Sequence, residues 1–263
     1  MVDERRIERL VPRLRDKIPD AIAVFLVGSH LRGDAGPHSD LDFDVLVEQP
    51  PREDSPAWFD SEDGRLLRVS AWIRDLTSWW SAQEEPQDWA FGLASSEPVR
   101  LCWAMDQSWW RRLDRSRIDH PGGPPELDHF VGDLGKVANA HGRGDDLGLR
   151  LAAQDLARSC PSLLAPLNPH PPVSSRHGAM LTALAFDVVP PGYLADLPVC
   201  LGLASRPATA PEVHAAACRL ATGVVDLLAT EAARYARLLP SDLVEQLTDG
   251  SLRRYVAQLT AGV

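Results

Sequence analysis

Residues 23–49 read AVFLVGSHLRGDAGPHSDLDFDVLVEQ, two apolar runs joined by a polar, glycine-rich stretch. The second run carries Asp40, Asp42 and Asp44 at every other position, among Leu41, Phe43, Val45, Leu46 and Val47. In a strand successive side chains alternate faces, so the three carboxylates form a row while Leu41, Phe43 and Val45 enter a core. Like charges so close repel unless a cation sits among them, and hard divalent ions such as Mg²⁺ take oxygen ligands of this kind. The other reading is a solvent-exposed strand face that is merely acidic.

The upstream half favours the cation. Gly28 and Ser29 end the first apolar run and open a short helix, where free N–H groups and the positive end of the dipole suit a triphosphate. Gly28 lets the backbone approach a phosphate and the Ser29 hydroxyl can donate to it. Arg32 lies one turn on, within reach of a phosphate oxygen, and Gly33 and Gly36 permit the sharp return to the second strand. The pattern is not the G-x-x-x-x-G-K-[ST] phosphate loop, and no G-x-G-x-x-G follows a strand.

Outward from this stretch, residues 3–17 place Ile7, Leu10, Val11 and Leu14 at helical spacing. AIAVFLVG and DFDVLV read as strands, GRLLRVSAWI (64–73) as a third with Gly64 as the turn before it, and VRLCWAM as another. Short helices are expected at LTSWWSAQ and DQSWWRRL. Gly and Pro cluster in DHPGGPPELDHF (119–130), a composition typical of a linker. Beyond it Ala and Leu recur at three and four through four long segments. The expected organisation is therefore α+β: an α/β domain with a mixed sheet over 1–118, a linker over 119–127, and an all-α domain over 128–263.

At 263 residues and 44 % hydrophobic content the chain can bury a real core. Its formal net charge of −10 argues against a long nucleic acid, whose binding depends on Lys and Arg, and suits a small, cationic partner better. No unbroken run of about 18 apolar residues spans a bilayer, and MVDERRIERLVPRLRDKIPD is too charged for a signal peptide, so the expectation is a cytoplasmic protein without a membrane partner. Cys102, Cys160, Cys200 and Cys218 lack metal-site spacing and read as reduced, buried thiols.

Gly28-Ser29-x-x-Arg32-Gly33, followed by Ser39-Asp40-Leu41-Asp42, resembles the signature of the DNA polymerase β-like nucleotidyltransferase superfamily, in its minimal and aminoglycoside-modifying branches. The match covers about 27 residues, and the helical second half is similar in kind to that of the antibiotic-modifying members. The resemblance implies transfer of a nucleoside monophosphate from an NTP, such as ATP, to a hydroxyl of a small, aminoglycoside-like acceptor, with release of pyrophosphate. It implies that Gly28, Ser29, Arg32 and Ser39 bind the nucleotide and that Asp40 and Asp42 hold two Mg²⁺, which clamp the attacking and leaving oxygens. Asp44, on the same face, joins them as a catalytic candidate.

One part of the family pattern is missing. The resemblance implies a third acid on the next, antiparallel strand, and the equivalent position here is Ser70 or Arg68. Either the chain is a nucleotide-binding, regulatory module, or another acid substitutes: Asp44, Asp75 at the strand's end, or Asp128 or Asp133 in the helical half. Nucleotidylation of a protein partner, as by an antitoxin-type transferase, is a further alternative. All eight tryptophans lie between Trp58 and Trp110. Most are expected in the core or between domains, whereas Trp72 should share the strand face nearest the metal site.

Overall fold

The structure, a computed structural model, describes residues 4–49, 56–62 and 65–261. It divides into two compact units. The first comprises residues up to Pro86, Ala94–Pro121 and Pro172–Ser175; the second comprises Gln87–Leu93, Gly122–Pro171 and the chain from Arg176 onward.

In the first unit the order is α1 (Glu4–Lys17), β1 (Ala21–Val27), α2 (Ser29–Arg32), β2 (Leu41–Val47), β3 (Ala57–Glu62), β4 (Arg65–Asp75), α3 (Leu76–Ser81), β5 (Ser95–Pro98), β6 (Arg100–Ala104), α4 (Gln107–Leu113) and β7 (Arg117–His120). Five strands form a mixed sheet in the order β3-β4-β2-β1-β6, and β5 pairs with β7 separately. The two strands quoted at the outset are antiparallel neighbours, with Val27 beside Asp42 and Phe25 beside Asp44. The expected third strand is β4, and the Gly64 turn placed before it lies outside the described residues. β3, which no sequence signal marked, is the antiparallel edge partner of β4.

The sheet has a different core on each face. On one side Leu10, Val11 and Leu14 of α1 pack with Leu26, Phe43, Val45 and Val69. Leu41, Phe43 and Val45 are fully buried there, which is where strand alternation sends them. On the other side Phe25 and Leu46 pack with Trp79, Leu101 and Leu113, with Trp80, Trp109 and Trp110 partly buried against them. The acid row belongs to this second face and runs into its apolar end. Asp60 of β3 accepts hydrogen bonds from Arg9 and Arg13 of α1, an ion pair that ties the helix to the edge strand.

The second unit is helical, with α5 (Leu127–Gly142), α6 (Asp146–Leu164), α7 (Arg176–Leu184), α8 (Tyr193–Cys200), α9 (Ala210–Thr230), α10 (Ala232–Tyr235), α11 (Ser241–Thr248) and α12 (Ser251–Thr260). α9 is its central element: Val213, Ala217, Leu220, Val224 and Leu228 are all buried, at the three- and four-residue spacing of one helix face. A capping box between Thr209 and Glu212 fixes its start. By length and hydropathy α9 could cross a membrane, yet over half of that stretch is buried inside the unit, as in a core helix.

Candidate functional site

The glycine that ends β1 is required by its backbone and by its neighbour. Gly28 has φ 82° and ψ −161°, a region essentially closed to residues with a Cβ. A Cβ built there would lie 2.8 Å from Asp42 Oδ2. The turn and the carboxylate thus touch, because β1 and β2 are adjacent and Val27 is in register with Asp42. We expect Gly28→Ala to displace the Asp42 carboxylate, lower the melting temperature, and weaken NTP-dependent thermal stabilisation at least tenfold in ligand concentration; an unchanged thermal-shift titration would contradict this.

α2 follows as a single turn, and no side chain among the described residues caps its start. Leu31 and Arg32 donate their N–H groups to the Gly28 carbonyl at 3.1 and 3.3 Å, so the N–H groups that open outward at the start of the turn are those of Ser29 and His30. Gly33, in the left-handed region, closes the turn by donating its N–H to the Ser29 carbonyl at 3.0 Å. Arg32 Nε pairs with Asp34 at 3.2 Å, and Ser39 Oγ accepts the Gly36 N–H at 2.8 Å. Arg32 and Ser39 thus hold the loop's own conformation.

The acid row lies where β2 begins. Asp40 precedes the strand and is partly exposed, Asp42 is half-buried, and Asp44 is buried. β4 supplies the neighbours: Asp42 is in register with Ser70, and Asp44 with Trp72. Arg68 Nη1 donates to Asp40 Oδ2 at 3.0 Å, and Ser70 Oγ donates to Asp42 Oδ1. The two residues that stand in for the missing acid are thus bonded to the two proposed metal ligands. The strand that carries them runs parallel to β2, not antiparallel as the resemblance implied, because β3 intervenes in sequence and reverses the chain direction before β4.

Asp75 is no substitute. It lies beside Val47 at the far end of the β2–β4 pair, about 17 Å from Asp42 along the strands. Its carboxylate caps α3 by accepting the Ser78 N–H at 2.9 Å. Asp44 is better placed chemically. Burial pushes its carboxyl up to about 6, against the pull of Arg74, whose Nε lies 3.9 Å from Asp44 Oδ1; nearby Glu97 and Asp42 raise it further. Trp72 is 57 % exposed on the same face, so its indole is available to a ligand.

Among the described residues no group of three or more His, Cys, Asp or Glu side chains is arranged to hold a metal ion. The donors present, Asp40 and Asp42 beside the Gly28 turn, are hard oxygen ligands that fit a Mg²⁺ carried on a triphosphate. In the second unit Asp128 and Asp133 line one cavity of about 970 Å³ together with Asp155, Arg158 and Tyr255. Asp133 is buried and paired with Lys136 at 2.8 Å, and Arg158 pairs with Asp155 at 3.5 Å. The sequence pointed to Asp128 and Asp133 singly; α11 and α12, which complete this cavity, carried no functional signal.

Two family models match the chain: "Nucleotidyltransferase domain" over residues 7–84, and "Nucleotidyltransferase, substrate binding domain" over residues 126–230. No curated protein matches it in sequence. Eleven solved chains do match. One is a nucleotidyltransferase-like protein from Exiguobacterium sibiricum 255-15, with 14 % identity over 96 % of this chain and 90 % of that one, and a TM-score of 0.40.

Proposed function

The chain belongs to the nucleotidyltransferases, with a nucleotidyltransferase domain followed by that family's substrate-binding domain, and from this premise we propose that it moves a nucleoside monophosphate from an NTP to a hydroxyl of a small molecule. The observation that carries the proposal is the contact between the Gly28 turn and Asp42, with Asp40 two residues before it: a phosphate-binding backbone and a pair of carboxylates within one local structure. The acceptor oxygen bonds to the α-phosphorus while the bond from that phosphorus to the bridging oxygen of the β-phosphate breaks. Pyrophosphate leaves with the electron pair, and the hydroxyl proton passes to water or a carboxylate.

In this reading Gly28 and Ser29 bind the β- and γ-phosphates through backbone N–H groups and the Ser29 hydroxyl, with Arg32 and Ser39 shaping the loop. Asp40 and Asp42 would hold the Mg²⁺ that accompanies the nucleotide, which when bound neutralises triphosphate charge. Asp44 supports them through a bridging water, since about 7 Å separates alternate residues of a strand. A carboxyl that titrates near 6 is suited to relaying a proton near neutrality. The acceptor is proposed to be amino-sugar-like. The net charge of −10 and the acids lining the cavity of the helical unit support that class.

The Ser70–Asp42 and Arg68–Asp40 contacts also favour a second reading, in which the chain binds NTP without turning it over. One experiment separates the two. The protein is incubated with Mg²⁺, each of the four NTPs, a panel of aminoglycosides and cell extract, and pyrophosphate and adduct mass are followed. Transfer gives acceptor-dependent pyrophosphate and an acceptor heavier by one nucleoside monophosphate. Binding of NTP with no pyrophosphate in any mixture establishes the binding module, and label on a polypeptide establishes a protein acceptor.

A further inference from the structure

We infer that this chain holds one divalent ion with its nucleotide, and that the Arg68 guanidinium supplies the positive charge a second ion would bring; the inference rests on the nucleotidyl-transfer reading above. A two-ion site needs enough oxygen ligands to fix both ions a few ångströms apart, and Mg²⁺ tolerates little departure from octahedral oxygen coordination. At the mouth of the acid row the described residues offer two carboxylates, Asp40 and Asp42. Asp40 Oδ2 is bonded to Arg68 at 3.0 Å, and Asp42 Oδ1 accepts the Ser70 hydroxyl. The position in register with Asp42, where a third carboxylate would face both ions, is Ser70, a neutral donor that is itself 9 % exposed.

The next acid on the face cannot make up the deficit. Asp44 is buried two residues farther along the strand, with Arg74 Nε 3.9 Å from its Oδ1 and the like charges of Glu97 and Asp42 near it. Arg68, by contrast, is half-exposed at 55 % and reaches the mouth of the acid row from β4. One of its nitrogens holds Asp40, which leaves further N–H donors of the planar fork for a phosphoryl oxygen. A fixed guanidinium there repels a second divalent ion, yet stabilises the same developing negative charge on the α-phosphoryl group. Asp40 and Asp42 would hold the ion, and Arg68 would supply the remaining positive charge toward the triphosphate, a cationic set that the residues present can provide.

The test counts ions on the full chain. Mn²⁺ is titrated by electron paramagnetic resonance in the presence of the α,β-methylene analogues of the four NTPs, which bind without reacting. The wild type should hold one nucleotide-dependent Mn²⁺ per chain. The double variant Arg68→Ala/Ser70→Asp should hold two, with the line broadening of a close pair. In turnover, Arg68→Ala should lose about 100-fold in kcat with KM for NTP within about threefold, and added guanidinium ion should restore part of that loss. Two ions in the wild type, one ion in the double variant, or an Arg68→Ala enzyme with unchanged kcat would each overturn the inference while leaving nucleotidyl transfer standing. No nucleotide-dependent ion in the wild type would instead remove the transfer reading, and the inference with it.

Discussion

Replacing either Asp40 or Asp42 with Asn is expected to abolish metal-dependent turnover, by at least about 10²- to 10³-fold, and to leave the fold intact. Each substitution deletes a charged oxygen from the carboxylate pair that begins β2, of which Asp42 touches the Gly28 turn. The folded state loses little. The Asp40–Arg68 pair lies at the surface, with side chains 35 % and 55 % exposed, and such pairs contribute at most about 1 kcal/mol. An Asn at position 42 retains an oxygen to accept the Ser70 hydroxyl, and the loss of one of several clustered negative charges relieves repulsion. The measurement is pyrophosphate release across a Mg²⁺ titration, beside a chemical unfolding curve. Activity within tenfold of the wild type in either variant would defeat the assignment of these two residues as metal ligands.

Asp44→Asn should separate activity from stability in opposite directions. Turnover is expected to fall by about 10- to 100-fold, the range seen when a group supporting a metal ligand is lost. The acid limb of the kcat/KM profile, set near pH 6 by the buried carboxyl, should disappear with it. Stability should rise. Burial raises the folded-state value to about 6 against an ordinary 3.8, so the folded protein holds this proton more tightly than the unfolded chain. The favourable contribution of the protonated carboxyl is complete below about pH 4 and is lost as pH rises through about 6. Above that, keeping the ionised group buried costs up to about 3 kcal/mol, at 1.36 kcal/mol per pKa step. The variant should therefore be more stable than the wild type at pH 8 by up to that amount and equal to it near pH 4, as urea unfolding at the two pH values would show. Equal stability at pH 8 would mean that Arg74 compensates the burial fully. If Asp44→Asn leaves turnover unchanged while Asp128→Asn or Asp133→Asn abolishes it, the proton-accepting acid comes from the helical unit.

Much of this molecule follows from short-range pattern. The helical spacing of Ile7, Leu10, Val11 and Leu14, the alternation of Leu41, Phe43 and Val45 with the aspartates, and the Ala/Leu periodicity of the second half each fix an element and the face it buries. Gly28 was legible for the same reason, since a tight turn between an apolar strand and a one-turn helix demands a residue without a Cβ. The D-x-D spacing alone set Asp40 and Asp42 on one face. What surrounds that face was decided by strand pairing across tens of residues, which periodicity does not encode. The sequence offered Ser70 and Arg68 as gaps in a pattern; only the β2–β4 register makes them bonding partners of Asp42 and Asp40. Parity placed Asp44 with the other acids, but its burial, and hence its raised carboxyl, depends on the packed end of the sheet that receives it. A strand-end position makes Asp75 a candidate in sequence, but the register places it at the far end of the β2–β4 pair, where its carboxylate caps α3. β3 escaped notice because a six-residue edge strand carrying Asp60 and Ser61 has too little apolar alternation to announce itself, and becomes a strand by pairing with β4. Local sequence fixed the elements and their faces, since side-chain direction repeats within a few residues; the partners of each acid were set by long-range backbone hydrogen bonding, and with them the charge available to a nucleotide.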